Sequence, residues 1–431
     1  KDVSYIAVYS GDSLSFNMGE DMSFVTEKLD VNVSADYDDE KEDLLLKWNP
    51  HAGVSLDNAI FSMSDIPETV YIPSIDFKYD STGIEINNSS IVLGNSDFEL
   101  QGKFVNVDEF LKKEALLKGQ LDFTSHYTDV NQLMDMFSGM GDTTVVAEEE
   151  VAVVADTIAK EDNPFMVPLG VDITLNTMID KASAGDMNLN NIGGNITVKN
   201  GILLLQEVGF TSDAATMMVT AMYKSPRKNH LYLGLDLHLL EIDIAEMIDL
   251  IPELDTLVPM LNSFAGKAEF HFAAETYLKS NYDLKISTLR GATAIHGKDL
   301  VILDNDTYKK IGRLLGFKDK EHNKIDKLAV EITAFKNEID VYPTLIAVVK
   351  YQAIVAGRHN LDMTFDYRLG MSNPWPFRRL GIKIGGNLDD MKYRLVGKRN
   401  LNLENPKGSD QDVHLIQETM RLKQLIYDSL K

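Results

Sequence analysis

"ITVKNGILLLQ", residues 196–206, is the stretch that decides the fold class. Asn200-Gly201 is the favoured two-residue hairpin turn, because both central positions need positive φ. The turn sets Val198 opposite Leu203 and Ile196 opposite Leu205, giving one wholly apolar face. Thr197, Lys199, Ile202 and Leu204 occupy the other face, which is itself partly apolar. A hairpin this apolar, in a chain this acidic, needs something to cover it.

The same alternation extends outward. In "LYLGLDLHL" (231–239) every odd position is leucine, while Tyr232, Gly234, Asp236 and His238 fill the even ones. That pattern is a strand with one fully apolar face. At Leu239-Leu240 the phase slips and Ile242 and Ile244 carry the alternation on, which predicts a bulge or the strand's end. "LAVEITAFKNEIDVY" (328–342) predicts a hairpin turning near Asn337. "LIAVVKYQAIVAGRHNLDMTFDYRL" (345–369) predicts two long strands joined at 357–360. "LGIKIGG" (380–386) and "MKYRLVG" (391–397) predict a further antiparallel pair. Many strands with short turns make a β-rich body.

Helices are fewer. They are expected behind an Asp129 cap in 128–140, over 243–264 with a break at Pro252, at 304–317, and at 409–430 behind a Ser409 cap. "LDFTSHYTDVNQLMDMF" (121–137) aligns without gaps on "LDLHLLEIDIAEMIDLI" (235–251). Each reads as a strand entering a short helix at a capping Asp, as a body of repeated units would show.

Lys and Arg number 42 against 66 Asp and Glu, a formal net charge of −24. Such a field repels nucleic-acid phosphates, so nucleic acid is not an expected partner. With 44% hydrophobic residues the chain can build a real core. Cysteine is absent, which removes disulfides, thiolate metal sites and cysteine nucleophiles together. No run of about 20 apolar residues could span a bilayer as a helix. The chain opens at Lys1 without a signal-like segment, so a targeting or anchoring piece is expected outside this sequence.

Catalytic chemistry has no footing in the sequence. No HExxH, GxSxG, Walker A loop or GxGxxG is present, and the nine histidines are scattered. Asp38-Asp39 and Asp389-Asp390 sit in turn-like contexts and read as solvated turns. The basic cluster "YKSPRKNH" (223–230) reads as a solvated hairpin loop, with a lipid-headgroup contact as its alternative. The expectation is no enzyme, no catalytic residues, no metal and no cofactor.

"MNLNNIGGNITVKNGILLLQEVGFTSDAATMMVTAMY" (187–223), followed by the leucine strand and "IDIAEMI", resembles the C-terminal region of AsmA-like proteins. The hairpin from Gly194 to Leu205 is similar to a recurring element of that family. Residues 265–304 look like the next block, and "GIKIGGNLDDMKYRLVG" (381–397) is similar to its closing Gly-rich strand pair. The resemblance covers residues 165–400 well and 85–140 more loosely, and it departs at 143–164. It implies a strongly curved β-sheet forming a long trough with an apolar inner face. It also implies a place in the periplasm of the Gram-negative envelope, attachment to the inner membrane, and a part in moving phospholipid to the outer membrane.

The expected fold is therefore mainly β: an elongated, strongly curved antiparallel sheet forming a trough or sandwich, with a C-terminal helix. Four regions are expected: a β-rich region over 1–142, an acidic linker or insertion over 143–164, a β region over 165–400, and the helix in 401–431. The candidate lining for a phospholipid or other acyl lipid is Ile196, Val198, Leu203, Leu205, Leu231, Leu233, Leu235 and Leu237. An ordinary dry sandwich core would show the same alternation. The competing expectation is a structural or assembly protein of the envelope that binds a protein partner along a sheet edge.

Overall fold

Asn200 and Gly201 both have positive φ, 43° and 84°, and join β9 (Met187–Lys199) to its partner β10 (Ile202–Ser212). The hairpin is the expected one, because Asn and Gly tolerate the left-handed conformation that this turn demands. In the computed structural model the described residues are 4–18, 22–37, 48–64, 66–80, 82–138, 164–185, 187–212, 215–250, 262–303, 309–311, 313–314, 324–348, 351–362, 364–373, 379–387, 390–403 and 412–431. With 71% strand against 15% helix, the fold is mainly β with a C-terminal helix. Contacts divide the chain into two units: Lys1–Phe210 with Tyr223–Leu231 and Ser280–Tyr282, and Thr211–Met222 with Tyr232–Lys279 and Asp283–Lys431.

In the first unit, long strands follow one another antiparallel: β1 (Ser4–Met18), β2 (Met22–Tyr37), β3 (Trp48–Met63), β4 (Ile66–Asp80), β5 (Gly83–Leu93), β6 (Ser96–Val105) and β7 (Leu117–Asp129). A short helix, α1 (Val107–Leu111), separates β6 from β7, and α2 (Val130–Ser138) follows β7 directly. The next strand, β8 (Val171–Ala184), pairs parallel to β7 and antiparallel to β9. Parallel neighbours need a crossover rather than a tight turn. The chain between them comprises α2, residues 139–163, which lie outside the described residues with most of the expected linker, and an extended run into β8.

The second unit contains β11 (Thr216–Lys224) as far as Met222 and β12 (Leu231–Asp243) from Tyr232 onward, with α3 (Ile244–Leu250) after it. A two-residue strand, β13 (Phe264–Ala265), precedes β14 (Lys267–Leu278). An antiparallel ladder then runs from β14 through β15 (Arg290–Ile302), β16 (Lys324–Phe335), β17 (Glu338–Val348), β18 (Tyr351–Asn360), β19 (Phe365–Asn373) and β20 (Leu380–Gly386) to β21 (Met391–Gly397). The C-terminal helix is α4 (Val413–Leu430).

Several local expectations are realised. Asp129 accepts the Gln132 N–H at 3.1 Å, and Asp243, its counterpart in the aligned segment, accepts the Ala245 N–H at 2.9 Å. Both strands thus enter a helix at an acidic cap. The slip after Leu239 is a kink at Glu241, whose φ is 53°. Leu239 and Ile242 are both fully buried on either side of exposed Leu240.

Other expectations are corrected. The strand break expected at 357–360 lies elsewhere: β18 continues to Asn360, and Phe365 begins β19. The turn is made by Asp362, whose carboxylate accepts the Thr364 N–H and hydroxyl. The helix expected from Ser409 begins at Val413. Its first amides are capped from another strand: Glu331 on β16 accepts the His414 N–H at 2.6 Å and the Leu415 N–H at 3.1 Å. Sequence neighbours could not have shown a cap supplied from so far along the chain. Ser409, Pro252, the second of the two helices expected in 243–264, most of 304–317, Asp38, Asp39 and Asp389 lie outside the described residues.

Candidate functional site

Strand registers show which side chains share a face, because directly paired residues point the same way. In the first unit one row runs Val31, Val54, Phe77, Ile86, and on through Gly102, Leu121, Leu175 and Ile196. The adjacent row on that face runs Val33, Ala52, Tyr79, Ile84, then Phe104, Gly119, Ile173 and Val198. Two rows of apolar side chains thus form a stripe across eight strands. The row between them faces the other way and is polar: Asn32, Gly53, Lys78, Glu85, then Lys103, Gln120, Thr174 and Thr197. Glu85 sits between Lys78 and Lys103, an opposite-charge sequence suited to a watered face.

The stripe is not a dry core. Val54, Phe77, Ile86, Leu175 and Ile196 are each only half-buried, while Leu121 is 4% exposed. Gly102 holds the centre of the first row, with φ at +145°. A Cβ there would stand 2.3 Å from the Gln120 carbonyl oxygen, so only glycine lets β6 lie this close to β7. Within the second row the Tyr79 hydroxyl donates to Asp108 at 2.6 Å. That hydrogen bond, with burial and the carboxylate's charge, pushes the phenol up to about 12, so Tyr79 stays a neutral donor.

The second unit repeats the division of faces. Phe272, Thr293, Ile332, Val341, and then Gly357, Tyr367, Ile384 and Tyr393 share one face. Here burial is deeper: Phe270, Ile295, Ile332, Ile339 and Ile382 are all at most 3% exposed. The C-terminal helix packs on the opposite face. Leu415 rests on Ala273, Ala292 and Ala294, and Leu422 lies against Gly234. Ion pairs Arg290–Glu418 and Arg421–Glu275, with a His296–Asp412 hydrogen bond, hold the helix along its length. The helix therefore covers a face of alanine, glycine and charge, and it is not what buries the apolar face.

The expected lining residues fall into two groups. Ile196 and Val198 lie in the two stripe rows, and Leu203 and Leu205 are half-buried beside them, Leu205 packing with Phe123 around Ile179, Ile192 and Val208. On the other side of the same hairpin Leu204 is 0% exposed and Thr197 is 7% exposed, so the face read as secondary is the drier one. Leu231, in the first unit, is fully buried. Leu233 and Leu235 are half-buried and Leu237 is 8% exposed. These last three point away from Tyr232, Asp236 and His238, which pair with Glu275, His271 and Glu269 on the helix-bearing face.

The stripe residues outside the hairpin, such as Phe77, Ile86 and Leu175, were not singled out from sequence. Their signal was present in short alternations such as "IDFKY" (75–79) and "VDITL" (171–175). Among the described residues no group of three or more His, Asp or Glu is placed to hold a metal ion, and no helix is long and apolar enough to cross a membrane. Compared with known proteins, the chain matches no family model, no curated protein and no solved structure.

Proposed function

We propose that this chain shields the acyl chains of phospholipid along its apolar stripe and contributes to lipid transport and outer-membrane homeostasis in the Gram-negative envelope. The observation that supports this reading is the apolar stripe of the first unit, continuous across eight strands, incompletely buried at most positions and backed by a polar row. A closed sandwich buries such side chains almost completely, whereas a surface that receives a ligand leaves them part-open. Each methylene laid on the stripe gains on the order of 0.8 kcal/mol. Headgroups remain in water, so the transfer needs no bond chemistry and no cofactor. The sequence resemblance to AsmA-like proteins supports a periplasmic site of action with attachment to the inner membrane.

Native mass spectrometry with lipid extraction tests this, on the wild-type chain and on Val198→Asp and Leu233→Asp variants. Bound phospholipid that is lost in a folded Val198→Asp variant fits the proposal. A lipid-free wild type whose variants unfold marks a closed core and rejects it.

One observation favours a second reading, an envelope assembly protein that binds a partner strand. The long strand β1 exposes Tyr5, Ile6 and Val8 at 65%, 74% and 68%. Exposed strands with so little charge are templates for β-augmentation. Crosslinking from Ile6 to a co-purified envelope protein, with no lipid bound, would select it.

A further inference from the structure

On the helix-bearing face of the second unit, three cations stand in one cross-strand row. Arg368 on β19 pairs with Lys383 on β20, and Lys383 with Arg394 on β21. Neighbouring strands lie about 4.8 Å apart, so three positive charges fall within about 10 Å. Like charges directly opposite destabilise a sheet. This happens in a chain where Asp and Glu outnumber Lys and Arg by 66 to 42.

Compensation from the protein is slight. Among the described residues, neither Lys383 nor Arg394 has an acidic partner, and both are exposed. Arg368 reaches Asp366 at 3.5 Å through one terminal nitrogen, while its Nε is buried without a hydrogen-bond partner. The next row on this face is Ile354, Gly370, Gly381 and Val396, with no acid in it. Over Gly370 lies the stem of Lys398, whose Cγ is 3.3 Å from where a Gly370 Cβ would stand. Burial pushes the Lys398 ammonium down from its ordinary value. On the other side, Asp366 is the carboxylate that meets Arg368, Arg358 opposite it is held by Asp340 and Glu338, and Lys392 already pairs with Asp390. Cations on an edge strand do guard against unwanted pairing. Lys392 and Arg394 already serve that purpose on β21, and the row continues two strands inward.

We propose that Arg368, Lys383, Arg394 and Lys398 form a binding site for a phosphate or phosphodiester group. A bound phosphate supplies the missing counter-charge and accepts the hydrogen bonds that the solvent-facing nitrogens of the guanidinium groups offer. The site lies on the reverse of the apolar face, so it stands independently of acyl-chain binding.

The test compares the thermal midpoint and calorimetric titration of the full chain in inorganic phosphate and in chloride of equal ionic strength. The variants are Lys383→Gln and Arg394→Gln. Phosphate should raise the wild-type midpoint by several degrees beyond chloride. Each variant should bind phosphate at least tenfold more weakly, yet be at least as stable as wild type in chloride because a repulsion has been removed. Flotation with phosphatidylglycerol vesicles against phosphatidylcholine vesicles identifies the source. Charge-selective flotation that the variants lose assigns the phosphate to a lipid headgroup, and a phosphate response without flotation assigns it to a soluble ligand. Equal midpoints in phosphate and chloride, or variants that keep the full phosphate response, overturn the proposal. Arg394→Gln lies on an exposed edge position and keeps the test open if Lys383→Gln fails to fold.

Discussion

Arg290 on β15 grips Glu418 on α4 with a forked contact. Its Nε lies 3.0 Å from both carboxylate oxygens, and its Nη2 lies 2.6 Å from Oε1. This pair, 128 residues apart in sequence, fixes the rotation of the C-terminal helix on its sheet. Burial alone would raise the Glu418 pKa. The Arg290 hydrogen bond and charge, helped by Arg421, overcome that and hold the carboxyl below its ordinary range.

Arg290→Ala should therefore destabilise the second unit by about 1–2 kcal/mol, a figure discounted for the solvent around the guanidinium. A double-mutant cycle with Glu418→Gln in urea isolates the coupling. Because the folded pKa of Glu418 is lowered, its contribution is complete above the unfolded carboxylate range near pH 4.3 and is lost as pH falls through the folded value. The wild type should lose more stability than Glu418→Gln on acidification below about pH 4. Parallel pH profiles would remove this pair from the account.

Gly102→Ala should cost about 2 kcal/mol or more, because the new Cβ meets the β7 backbone, which cannot give as a side-chain tip can. Gly53→Ala, in the polar row with open space around its Cα, should change stability by under about 1 kcal/mol. Chemical denaturation of the two variants side by side checks the contrast.

Depth in the stripe should sort large-to-small substitutions. Leu121→Ala removes a fully buried side chain and should cost about 2–4 kcal/mol, whereas half-buried Ile86→Ala should cost about half as much. Equal costs would indicate that the stripe around Ile86 is as dry as at Leu121.

Ala292→Leu should lift the C-terminal helix. Ala292 is 2% exposed beneath Leu415, and the larger side chain has no space there. Hydrogen exchange should show faster exchange across residues 413–430, with β1–β7 unchanged.

Local patterns were legible from the residues alone. The Asn200-Gly201 turn, the slip after Leu239 and the acidic caps Asp129 and Asp243 all depend on neighbours within a few positions, and each forms where the pattern places it. The strand break near 357–360 was misplaced because Gly357 reads as a turn signal. In the sheet it faces Tyr367, whose ring would crowd any Cβ there, so the glycine is required by packing. The C-terminal cap was invisible for a related reason, since Glu331 reaches the helix only through the fold.

Sequence by itself determined that this is a β protein with strands of one apolar and one polar face, because alternation of side chains is a property of the single strand. It also marked Ile196 and Val198 as members of an apolar face. Which faces align across strands was decided by the tertiary structure, since register is set by pairing between residues distant in the chain. Only pairing lines up Val54, Phe77, Ile86 and Leu175 with Ile196 as one stripe, sets α4 on the charged face of its unit, and brings Arg368, Lys383 and Arg394 into one row.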